Sequence, residues 1–208
     1  MRAKFITFEG TECSGKSTQS RLLFEYLKSK YRKVIFLREP GGTKISEAIR
    51  RILLDPHNIK MADKTELLLY MASRAQTVEE VIRPALKNGF IVICDRFLDS
   101  TVVYQGYGLG MDLEFIQRLG EFVTEGITPD LTILLDIPLS KAFKKILRRK
   151  DRIEQRAFSY HRRVQQGYRI LSKKFPERIK VVRLLDDLNS TQQRIRKIVD
   201  KIFFKDGV

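Results

Sequence analysis

The chain has 208 residues, 43% of them hydrophobic and 31% charged, which suits one globular domain spanning 1–208. A chain this long buries most of its surface on folding and needs no staples; Cys13 and Cys94 form no CxxC pair and lie far in sequence from His57 and His161, which argues against a disulfide framework and a structural zinc site. No apolar run approaches the ~18 residues of a membrane span and no signal-peptide pattern opens the chain, so the expected setting is cytoplasmic, with no membrane partner.

The net charge of +15 is unevenly spread. Residues 1–140 hold 19 Lys+Arg against 18 Asp+Glu, or +1; residues 141–208 hold 21 against 7, or +14. A basic final third fits nucleic acid, a face that receives polyanionic nucleotides, or solvated helices. No stacked-aromatic or groove-reading motif accompanies it, which makes nucleic acid an unfavoured partner.

In chain order, a short apolar strand at 5–8 runs into Gly10-Thr11-Glu12-Cys13-Ser14-Gly15-Lys16-Ser17, which fits G-x-x-x-x-G-K-[ST] at every fixed position. An amphipathic helix at 16–29 follows. In that setting backbone N–H groups and the helix N-terminus cradle phosphates, Lys16 bridges the β- and γ-phosphates of a nucleoside triphosphate, and the Ser17 hydroxyl ligates Mg²⁺. Ser14 and Thr18 support the loop. A second strand at 34–37 ends in Arg38-Glu39-Pro40-Gly41-Gly42, a rigid turn that projects Arg38 and Glu39. Helices at 44–54 and 63–87 come next; Tyr70 and Arg74, four apart, share one side of the second, although Tyr70 among leucines also fits plain core packing.

A third strand at 90–94 is followed by Asp95-Arg96, then Ser100-Thr101 and Tyr104-Gln105-Gly106. Read alone, Asp95 fits the cap of a helix starting near Phe97. A helix at 112–125, a strand at 131–135, helices at 139–149 and 157–174, a strand at 180–184 and a helix at 190–204 complete the chain. Alternating strands and helices predict a five-stranded, doubly wound parallel α/β sheet of the P-loop NTPase type, with helices on both faces. Ligands of such sheets bind beyond the strands' carboxyl ends, where Glu9-Gly10, Arg38-Glu39, Asp95-Arg96 and Asp136 fall. The chain lacks the Asn-Lys-x-Asp segment by which GTPases read guanine, and its length suits a small kinase.

The segments "FEGTECSGKST", "REPGGT", "ASRAQ", "DRFLDSTVVYQGYG", "PDLTILLDIP" and "DRIEQ" occur in the order found in thymidylate kinases, and the chain resembles the bacterial kind of that family from Phe5 to about residue 175. The resemblance implies transfer of the ATP γ-phosphoryl group to dTMP with Mg²⁺, and a homodimer. It also implies roles for single residues. Arg38 and Arg96 grip the dTMP phosphate; Arg74 donates to thymine O4 and Tyr70 stacks on the ring. Ser100 or Thr101, with Gln105, meet the other base edges, Tyr104 crowds the sugar 2′ position, and Glu12 approaches the 3′-hydroxyl. Asp95 orients Mg²⁺ and its waters. One kind within the family carries an arginine at the phosphate-loop position held here by Cys13. The resemblance therefore implies the other kind, in which a lid, here about 148–157, supplies the arginine: Arg149 and Arg152 are the expected catalytic pair.

Overall fold

The structure, a computed structural model, describes residues 3–140, 142, 151–184 and 187–204. Five strands, β1 (Lys4–Glu9), β2 (Val34–Arg38), β3 (Ile91–Asp95), β4 (Leu131–Asp136) and β5 (Ile179–Arg183), form one sheet in the order β2-β3-β1-β4-β5, every pair parallel. β1 is flanked by β3 and β4, so the chain reverses its winding there, and a crevice opens beyond its carboxyl end. β1, β3 and β4 are almost wholly buried. β2 is apolar through Leu37 yet lies at an edge, where Ile35 and Phe36 are half-buried and the Arg21 guanidinium covers the Phe36 ring.

The helices are α1 (Lys16–Lys30), α2 (Lys44–Leu54), α3 (Asp63–Thr77), α4 (Arg83–Lys87), α5 (Leu98–Thr101), α6 (Leu113–Thr124), α7 (Phe158–Lys174) and α8 (Leu188–Phe203). A π-helical turn, Val78–Ile82, joins α3 to α4, so the single helix expected over 63–87 continues in one direction with a bulge. A second π-helical stretch, Val102–Gly108, prolongs α5. The helix expected at 139–149 lies mostly outside the described residues. Starts are set by side chains: Thr43 accepts from Ser46 N–H at α2, Asp112 from Glu114 and Phe115 N–H at α6, and Asp187 from Ser190 N–H at α8.

Alternation along the strands splits the core across the sheet. Ile6 and Phe8 of β1 join Leu23 and Leu27 of α1 with Ile195 and Val199 of α8; Phe5, Val92 and Cys94 join Val78, Ile82 and Phe97 on the other side. The end of β1 tolerates no side chain beyond Glu9. Gly10 has φ +144°, and a Cβ there would sit 2.5 Å from the Leu135 carbonyl oxygen. Gly10→Ala is expected to lower the melting temperature by about 5 °C through backbone strain, and to weaken ATP binding, in a thermal-shift titration with and without ATP.

Candidate active site

Beyond the carboxyl ends of β1, β2 and β3 lie two adjoining cavities. One, of about 800 Å³, is bordered by Lys16, Ser17, Arg38, Asp95 and Glu154. The other, of about 580 Å³, is bordered by Tyr70, Arg74, Ser100, Thr101, Tyr104, Gln105 and Ile153. Glu12, Glu39, Arg50, Arg96 and Asp151 line both. The division places the phosphate loop in the first and most of the expected acceptor contacts in the second.

In the first cavity, α1 starts at Gly15 with no side-chain cap and no acid in its first turn, so its N–H groups are left for an anion. Lys16 folds back and donates to the Thr11 carbonyl at 2.8 Å. Burial, then the Arg96 charge, pull its ammonium below the ordinary value, against Glu12 and Asp95. Ser17 Oγ donates to Asp95 Oδ2 at 2.5 Å, and Asp95 Oδ1 is buried with no hydrogen-bond partner. Asp95 thus caps no helix: α5 begins at Leu98 without a side-chain cap. Cys13 takes φ 56° and Thr18 is exposed on α1.

Arg96 organises the boundary between the cavities. It sits at φ 74°, a left-handed conformation that turns its side chain back over the end of β1. Nη2 donates to Glu12 Oε1 at 2.6 Å and to Tyr104 Oη at 3.0 Å; Nη1 donates to the Gly10 carbonyl, Ser100 Oγ and Tyr168 Oη. Tyr104 Oη in turn donates to Glu12 at 2.9 Å. Burial works against the Glu12 carboxylate, but Arg96, Lys16 and the Tyr104 bond hold it down to about 2. Burial likewise opposes the Arg96 charge, and Glu12 together with Tyr104, Tyr168 and Glu9 more than offsets it, so its guanidinium is held well above the ordinary value.

Underneath is Glu9, which no sequence signal marked beyond its place at a strand end. Its carboxylate accepts from Phe97 N–H at 2.8 Å, Ser100 Oγ at 2.6 Å and Tyr168 Oη at 2.7 Å. Burial, and then Asp99, push it from 4.5 up to about 6. A raised folded value means that the folded state binds more protons than the unfolded one between those limits. Glu9 therefore favours folding below about pH 4.5 and loses that contribution, about 2 kcal/mol, as pH rises through 6. Urea titrations at pH 4.5 and 7 should show Glu9→Gln lacking this component of the pH slope.

The second cavity is walled by a buried pair. Arg74, 2% exposed, donates through Nε to Glu39 Oε2 at 2.8 Å, through Nη1 to Thr101 Oγ1 at 2.9 Å and through Nη2 to the Phe97 carbonyl at 3.0 Å. Those bonds fix the plane of the guanidinium while it borders the cavity. Tyr70, one turn earlier on α3, also lines it and is half-buried rather than part of the core. Arg38 lies half-exposed, paired with Glu47 at 3.1 Å. Arg50 is an addition: it lines both cavities and donates to the Pro40 carbonyl at 2.9 Å, while its neighbour Arg51 is exposed. "IRRI" carries no signal that separates the two.

The basic segment gives a different picture from the one expected. Arg149 lies outside the described residues. Arg152 borders neither cavity: it is 5% exposed, donates through Nη1 to Glu66 Oε2 at 2.5 Å and through Nε to the Leu53 carbonyl at 2.8 Å. The faces of 151–156 that meet the cavities carry Asp151, Ile153 and Glu154 instead. The physical reason is burial: α3 presents a carboxylate with no exposure, and guanidinium is the group that neutralises it.

The chain is similar to proteins of one family. The family model described as thymidylate kinase matches residues 8–195. A thymidylate kinase from Exiguobacterium sp. is 50% identical over 86% of this chain and 85% of its own length. One from Symbiobacterium thermophilum is 45% identical over 95% of this chain and 93% of its own. Among solved structures, thymidylate kinase from Ehrlichia chaffeensis superposes with a TM-score of 0.81 at 35% identity, covering 96% of this chain and all of that one.

Proposed function

Since the chain belongs to the thymidylate kinase family, which phosphorylates dTMP to dTDP with ATP, we propose that it does so with ATP in the 800 Å³ cavity and dTMP in the 580 Å³ one. The observation that carries the assignment is Arg96, which borders both and is already preorganised by an anion, Glu12. A guanidinium that holds a carboxylate in one direction can hold phosphate oxygens in the other.

In this reading Gly10 to Thr18 wrap the triphosphate and Lys16 exchanges the Thr11 carbonyl for phosphate oxygens. Mg²⁺ fits the Ser17–Asp95 pair: Asp95 carries an unpartnered buried oxygen beside a hydroxyl, a hard donor set for a cation that keeps its waters. When bound, the ion neutralises charge on the phosphate oxygens. Arg38 and Arg96 hold the dTMP phosphate, and Arg50 adds a third cation on the same wall. Arg74 and Thr101 present hydrogen-bonding groups to thymine, Gln105 lines the same wall and Tyr70 covers the ring. Tyr104, bonded to Glu12, stands where the sugar would pass, so ribose and deoxyribose are told apart there. Charge on the transferred group comes from the lid, with Arg149 as the candidate once Arg152 is engaged by Glu66.

Coupled ADP release with a panel of monophosphates tests the reading. Turnover with dTMP far above dUMP, dCMP, AMP and GMP is expected; equal turnover with all five contradicts it. The reading also includes a cytoplasmic setting and a homodimer. Ile45, Leu68, Phe115 and Phe122, all exposed and Phe122 by 79%, lie on the adjacent helices α2, α3 and α6 and supply apolar surface for self-association. Sedimentation at micromolar concentration should give twice the 24.3 kDa chain mass. Among the described residues, no helix is long and apolar enough to cross a membrane.

A further inference from the structure

Glu66 is fully buried in the first turn of α3, and its two carboxylate oxygens serve different parts of the molecule. Oε2 accepts from Arg152 Nη1 at 2.5 Å and from Arg156 Nη2 at 2.6 Å. Oε1 accepts from Gln105 Nε2 at 2.8 Å, and Gln105 lines the cavity assigned to dTMP. One carboxylate therefore joins two arginines of 151–156 to a wall residue of the acceptor site. The arginines are not equivalent. Arg156 is 22% exposed, lies over the Tyr160 ring and has Asp63 as a distant second partner at 4.0 Å. Arg152 is enclosed, and it also donates to the last turn of α2 through the Leu53 carbonyl, a helix C-terminus that favours a cation. Next to it, Ile153 is buried in the apolar cluster that contains Leu67, Met71, Tyr104 and Tyr160. These contacts fix the segment to α2, α3 and the acceptor wall together.

We propose that Glu66 is a positioning residue for the acceptor site, and that Arg152 acts through Glu66 to hold Gln105 and the 151–156 segment in register rather than on the transferred phosphoryl group. The proposal rests on the assignment of the 580 Å³ cavity to dTMP. It separates two kinds of arginine. One that touches the moving phosphoryl group lowers kcat when removed and leaves dTMP binding alone. One that braces the acceptor wall raises the dTMP KM, and its loss is not independent of Glu66.

A mutant cycle decides. Steady-state transfer to dTMP is measured for wild type, Glu66→Gln, Arg152→Gln and the double variant, with KM determined for each nucleotide. Each single variant is expected to raise the dTMP KM about tenfold with the ATP KM within about twofold of wild type. The double variant should be no worse than the poorer single one by more than about twofold. Losses that multiply, a fall in kcat with dTMP KM unchanged in Arg152→Gln, or singles indistinguishable from wild type would each overturn the proposal. If circular dichroism shows either glutamine variant unfolded, Glu66→Asp and Arg152→Lys take their places under the same criteria. Absence of dTMP phosphorylation by the wild type would instead overturn the assignment of function, which keeps the two failures distinct.

Discussion

Arg96→Ala is expected to lower kcat/KM for dTMP by about a thousandfold, or about 4 kcal/mol. Two losses combine. The dTMP phosphate forfeits a charge-assisted contact, and the Glu12 carboxylate, now held down near 2 chiefly by Arg96 against its burial, is left facing the cavity without its cation. The backbone supplies a control. Arg96 already carries the strain of φ 74°, so alanine adds none, whereas glycine relieves it. Arg96→Gly should therefore be as inactive as Arg96→Ala and about 1 kcal/mol more stable. Steady-state kinetics with both variants, paired with urea unfolding, checks the two halves separately. Equal stability would mean that the turn at Arg96 costs nothing, and retained activity would mean that the phosphate lies elsewhere.

Lys16→Met should lower kcat by about 10²–10³-fold, the range for losing one preorganised positive group aimed at developing charge. Stability should move the other way or stay level. Burial and the nearby Arg96 both disfavour the Lys16 ammonium, and in the ligand-free protein it is accommodated by a turn carbonyl, Thr11 O. Methionine keeps most of the length and removes the ammonium's desolvation cost. A variant that melts no lower than wild type yet transfers phosphate hundreds of times more slowly would identify Lys16 as a group kept for function. A variant that loses both together would make it a structural residue of the loop.

What the sequence made legible follows from locality. All five strands were readable as short apolar runs, and Arg38, Glu39, Asp95 and Arg96 after β2 and β3 do line the cavities, whereas Glu9 and Gly10 after β1 line neither and Glu9 is buried. α2 was read at its observed bounds, and the structure shows Thr43 capping its start. The α5 helix and the π-helical Val102–Gly108 were not readable. Gly106 and Gly108 are small because Leu113 and Tyr160 press on them: a Cβ would come within 2.4 Å and 2.6 Å of those side chains. Glu9 depends on Tyr168, 159 residues away, and nothing local announces that bond. Arg152 failed to reach the phosphate loop for the same kind of reason. "DRIEQ" identifies a segment, while the partner that captures its arginine, Glu66, lies on α3 in a stretch that reads as an ordinary first turn.

In the proposed function the loop Gly10–Ser17 divides its residues between two nucleotides, Lys16 and Ser17 facing ATP and Glu12 facing dTMP. Glu12→Gln tests it most directly. The amide keeps the shape but removes the charge that balances Arg96, so the Arg96 and Tyr104 bonds that converge on one carboxylate oxygen lose their ionic acceptor. The dTMP KM is expected to rise about tenfold or more, with the ATP KM within about twofold of wild type. A raised ATP KM with the dTMP KM unchanged would place Glu12 with the triphosphate and contradict the division.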